Sequence, residues 1–127
     1  MRINNIVFCE NTQQATLPDG KSITVLMNPT PELNPPYIPG LFSFSVSFGI
    51  SEIGESSQLT ASVKLFDPQN ELVTFIEISE NNIPAGYKNL TINCDMRNVK
   101  VLEEGIYRLH IEVLGEMKDE SVMIRRQ

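Results

Sequence analysis

Residues 41–50 read "LFSFSVSFGI". Apolar side chains stand at every second position (Phe42, Phe44, Val46, Phe48, Ile50), and Ser43, Ser45 and Ser47 fill the gaps. Period two is the period of a β-strand, whose successive side chains point to opposite faces; a helix would repeat its apolar positions every three or four residues. The phenylalanine face is expected in a core, and the serine face on the outer surface of a sheet. A ligand groove is the other use for such a face, but a chain of this size needs these residues inside.

The same alternation recurs on both sides of this segment, in short runs separated by turn residues, and no stretch carries a helical period. Eight runs are expected as strands: about 2–9, 21–27, 41–50, 58–66, 72–79, 89–96, 106–114 and 121–126. Residues 10–20 are read as a loop containing "LPDGK", and 67–71, "DPQNE", as a turn with Pro68 in a favoured place. "GESS" at 54–57 and "GEMKDE" at 115–120 are read as turns, "ENNIPAGYK" at 80–88 as a long loop and "RNVKVLEEG" at 97–105 as a bridge. Many short strands joined by turns imply an all-β fold, an antiparallel two-sheet β-sandwich of about eight strands, with a barrel as the alternative.

The chain has 127 residues, enough for one domain spanning 1–127, and a chain of this length buries roughly two thirds of its unfolded surface. No run of about 18 apolar residues is present, so no membrane partner is expected. The start, "MRINNIVFCEN", lacks the pattern of a secretory signal, and a cytoplasmic location is expected. The formal net charge is −6. Phosphate backbones repel such a chain, so nucleic acid is not expected as a partner. The acids gather in the loops, where they favour solubility or meet a basic partner or a cation. Cys9 and Cys94 sit among apolar residues on expected strands and are read as small, reduced core residues.

Several pieces stand in a recurring order: "IVFCE", "LPDGKSITV", a proline-rich link, "LFDPQNEL" and "LEEGIYRLHIEVLGE" before a final strand. In this order they resemble a functionally uncharacterised family of small bacterial immunoglobulin-like β-sandwich proteins. The resemblance spans nearly the whole chain. It implies a stand-alone immunoglobulin-like domain and supplies no activity and no functional residues. In "LEEGIYRLHIEV" a glycine, one residue and then Tyr107 open an alternating run, the setting in which sandwich domains tuck a tyrosine hydroxyl onto backbone at a sheet corner.

The chemistry-bearing residues are sparse. The one histidine, His110, is in phase with Arg108 and Glu112 and is read as a solvated surface residue. Two cysteines and one histidine far apart in sequence do not make a zinc set, and no phosphate loop, nucleophile elbow or Ca²⁺-loop spacing occurs. No catalytic residue, cofactor or metal is expected, and the expected role is a non-catalytic interaction or structural module with a protein partner. A homo-oligomeric assembly component of the virion or secretion type is a rival reading. A small-ligand or carbohydrate-binding module is another, weakened by the absence of Trp.

The candidate partner-binding residues lie in "NPTPELNPPYIPG", 28–40, whose five prolines make it a stiff extended connection and not a strand. Prolines lower the entropy lost on docking. Tyr37, with Leu33 and Ile38 beside it, would offer a large contact surface with a polar tip. The opposing reading is a crossing between sheets, with Leu33 and Ile38 plugging the end of the core.

Overall fold

The computed structural model describes residues 1–54, 58–81 and 89–127. Within them the chain forms ten strands and no helix: β1 (Arg2–Cys9), β2 (Asn11–Thr16), β3 (Ser22–Met27), β4 (Glu32–Leu33), β5 (Gly40–Ser51), β6 (Gln58–Phe66), β7 (Leu72–Asn81), β8 (Asn89–Val101), β9 (Gly105–Val113) and β10 (Glu116–Ile124). Most of the expected turn at 54–57 and most of the loop at 80–88 lie outside the described residues.

Three sheets result. One has the order β1-β5-β8, a second has β4-β10-β9-β6-β7, and β2 and β3 form a two-stranded hairpin. All pairings are antiparallel except β4 with β10, which makes the five-stranded sheet mixed. The two larger sheets fill one buried cluster. Phe8, Phe44, Val46, Phe48 and Ile92 come from the first, and Leu59, Val63, Leu65, Leu109, Ile111 and Val122 from the second. The phenylalanine face of β5 is thus core, and each buried ring contributes about 1.5–3 kcal/mol by leaving water.

Four expectations about the elements are corrected. Residues 11–16 are a strand and not a loop. "NTQQAT" has no apolar alternation, and it is held extended by pairing with β3, from Asn11↔Met27 to Thr16↔Ser22. The proline-rich segment contains the short strand β4, placed where neither residue is proline. β8 continues through the expected bridge to Val101, and a break in register between Phe42↔Val99 and Phe44↔Met96 absorbs Arg97 and Asn98 as a bulge. β10 begins at Glu116, because the β9–β10 turn is only Leu114 and Gly115, both with positive φ as a two-residue hairpin turn requires.

The serine face of β5 is not an open surface. Ser45 is 2% and Ser47 5% exposed. The β2–β3 hairpin lies over this side of the sheet, and Asn93 Nδ2 on β8, in register with Ser47, reaches Thr24 Oγ1 on β3 at 3.5 Å. On the same side Ser45 Oγ donates at 2.7 Å to Oδ1 of Asp95, whose carboxylate is itself partly exposed.

Two hairpins close with one loop design. In 17–21 the Gly20 N–H donates to Leu17 O and Leu17 N–H to Lys21 O; in 67–71 the Asn70 N–H donates to Asp67 O and Asp67 N–H to Glu71 O. Gly20 and Asn70 take the left-handed conformation that ends such a loop. Tyr107 Oη donates to Glu103 O at 2.7 Å, so the corner read from "LEEGIYRL" forms. Gly105 precedes it with φ of 149°, and a Cβ there would stand 2.8 Å from Pro68 Cγ.

Candidate functional site

Residues 28–40 form a strap across the end of the molecule where β10 finishes. Its anchor is β4, which pairs Glu32 with Met123 and Leu33 with Ile124. Beyond that strand Arg125 N–H donates to Leu33 O and Gln127 N–H to Pro35 O, so the ladder reaches a proline that accepts but could not donate. Asn34 Nδ2 donates to Arg125 O and to Glu32 Oε1, and Arg125 Nε stands 3.4 Å from Glu32 Oε1. The Ile38–Pro39 peptide is cis.

The three residues singled out from sequence separate here. Leu33 is 2% exposed and belongs to the core cluster, and the little surface it keeps lines the cleft beside the strap. Ile38 is partly buried against the same cluster. Tyr37 is 75% exposed and is the only one of the three that faces solvent.

Beside the strap lies a cleft of about 570 Å³. Its apolar wall includes Phe42 and Phe44, stacked at 6.0 Å between centroids, with Leu33 and Pro36. Its rim is polar and includes Glu10, Asn28 and Glu32. Asn28 Nδ2 donates to Glu10 Oε2 at 2.7 Å. Alternating loop ends would put residue 10 and residue 28 at opposite ends of the molecule. The unforeseen strand β2 reverses that count and brings them together. Glu10 is a site residue that the sequence did not mark, whereas Phe42 belongs to the face for which a ligand groove is the other reading. The only signal was the aromatic pair one turn of pleat apart, and that pair reads equally as core.

His110 is half-buried and not fully solvated. It lies on the outer face of the five-stranded sheet, where Lys64 and Asp119 flank it in register. His110 Nδ1 donates to Asp119 Oδ1 at 2.7 Å, and this hydrogen bond holds the Asp119 carboxyl below its ordinary range. Arg108 Nη1 donates to the same carboxylate at 3.1 Å, Nη2 donates to Asn70 Oδ1, and its guanidinium stacks 4.3 Å over the Phe66 ring. These contacts knit β6, β9 and β10 together on an open face.

The thiols are also set by packing. Cys94 lies in the core, opposite Val46, and burial pushes it up to about 11. Cys9 is fully buried but lies outside the core cluster, on the covered serine side opposite Ser45, and burial pushes it up as well. The two are free and point to opposite faces of one sheet. Among the described residues no group of three or more His, Cys, Asp or Glu side chains is arranged to hold a metal. No helix of the described residues is long and apolar enough to cross a membrane. No protein-family model matches the chain, and no curated protein matches it.

Proposed function

We propose that the chain is an immunoglobulin-like β-sandwich acting as a protein-interaction module without catalysis, and that the cleft beside the strap receives an extended protein segment with an apolar anchor next to a basic residue. The observation that carries this reading is the cleft itself, in which an aromatic wall meets a rim bearing Glu10 and Glu32. Apolar anchors seat in such walls, while rim carboxylates select the partner's charge more than they add affinity. The stiff strap favours docking because little of it must be ordered. The Tyr107–Glu103 corner and the core shared by a three- and a five-stranded sheet support the sandwich reading. The non-catalytic reading is supported by both thiols being pushed up by burial, the reverse of what activates a cysteine nucleophile.

Selection of extended peptides on the intact protein tests the proposal. Apolar residues flanked by Lys or Arg should be enriched, and Glu10→Lys should shift the preferred flank away from basic residues. Enriched peptides whose binding ignores both Glu10→Lys and Phe42→Ala would remove the cleft as the site.

A further inference from the structure

The exposed edges of these sheets are not alike. An unpaired edge invites another strand, and proteins blunt it with charge, proline, bulges or extreme shortness. β1 carries a register break between Asn4 and Val7, with Asn5 in the left-handed region. β8 carries the Arg97–Asn98 bulge and the charges of Asp95 and Lys100. β7 has Glu77 and a register break near Leu72. β4 is two residues long and sits among prolines. β3 has none of these devices, and neither has its neighbour β2, but β2, "NTQQAT", carries no apolar stripe. The sequence of β3, "SITVLM", has no charge and no proline, its ladder with β2 runs without a break, and among the described residues it pairs with β2 alone.

The hairpin also faces the opposite way from an ordinary amphipathic sheet. Thr24 and Gln14 hydrogen-bond to each other on the side turned toward β8. The alternate residues of β3, Ile23, Val25 and Met27, are 38%, 37% and 40% exposed in one line. A backbone edge that no other described strand pairs thus borders an apolar stripe on the same strand.

We propose that β3 pairs antiparallel with β3 of a second copy of this chain, forming a four-stranded sheet across a two-fold axis. An antiparallel strand is self-complementary under such an axis. Every second residue of β3 turns its N–H and C=O away from β2 and meets the matching groups of the mate. The two stripes then join into one apolar band. Charge selects this surface for a second copy over a basic or acidic partner. The chain carries −6, whereas residues 11–27 hold one acid, Asp19, and one base, Lys21, both in the turn that precedes β3. Two copies meeting here bring no like charges together, and the interface shares no residue with the cleft.

Sedimentation of the full chain, followed by Val25→Lys, is the test. The wild type should shift with concentration toward twice the chain mass of 14.3 kDa. Val25→Lys should raise the dissociation constant by about tenfold or more, while Phe75→Lys on β7 leaves it unchanged. Amides 22–27 of the wild type should exchange more slowly at high concentration than at low, a readout that does not depend on any variant folding. A wild type that stays at the mass of one chain at every soluble concentration overturns the proposal. So does a dimer that survives Val25→Lys, or protection that appears on another strand. A dimer abolished by Val25→Lys with peptide selection unaltered supports this interface irrespective of the cleft.

Discussion

β5 and β3 share an alternating pattern and end in opposite surroundings. In β5 the rings of Phe44 and Phe48 enter the core, and the serines between them are covered as well. In β3 the threonine side is covered, and Ile23, Val25 and Met27 are left facing solvent. Alternation tells which residues share a face. It does not tell which face is covered, because that depends on what packs above and below the strand. β5 lies at the centre of its sheet and is sandwiched between core and hairpin. β3 is a hairpin strand with a single neighbour among the described strands, and its polar side matches the serine layer beneath it.

The largest effect that could break this contrast is at Phe44. Phe44→Ala should destabilise by about 3–5 kcal/mol in denaturant titration, the usual cost of emptying a core aromatic site. Val25→Thr on β3 should stay within about 0.5 kcal/mol in the same assay at low concentration. Equal losses would mean that the two strands are buried alike. Ser45→Ala should come next, at about 1 kcal/mol. A serine on an open face would cost almost nothing, whereas this one is buried and donates to a carboxylate that is itself partly exposed. A neutral result would show that the hairpin does not seal the layer.

The smallest effect belongs to the open face of the five-stranded sheet. Asp119 is lowered in the folded protein by the hydrogen bond from His110. A lowered carboxyl contributes stability above its unfolded pKa, near 3.8, and the contribution is lost as pH falls through the folded value. The side chain is about half exposed, so the loss should not exceed about 1 kcal/mol. Asp119→Asn should flatten the acid limb of a stability–pH curve below about pH 4. An unchanged limb would mean that the His110 contact is not held in solution.

The sequence revealed what hydrophobic period and turn chemistry can reveal. The eight runs correspond to strands, the loop residues at 17–21 and 67–71 close hairpins, and Tyr107 forms its corner. The strands it hid are those held by pairing alone. "NTQQAT" is polar on both faces, yet a loop of the "LPDGK" kind must have a strand on each side, and that was the available clue. β4 was hidden because five prolines outweigh two residues that pair. The cleft was hidden for a different reason. It brings Glu10 beside Asn28 and Phe42 across three segments, and no local pattern records such proximity.

The strap has a consequence for the order in which the molecule is assembled. Asn34 finds its partner at Arg125, 91 residues further along. Contacts of that separation cost the most loop entropy and close late. A chain emerging from synthesis can join β2 to β3 and β6 to β7 as soon as each hairpin is out. Its proline segment must wait until residues 123–127 arrive to draw it in. Until that moment the Phe42–Phe44 wall lacks the flank that Leu33 and Pro36 supply, so the cleft is among the last features of the protein to exist.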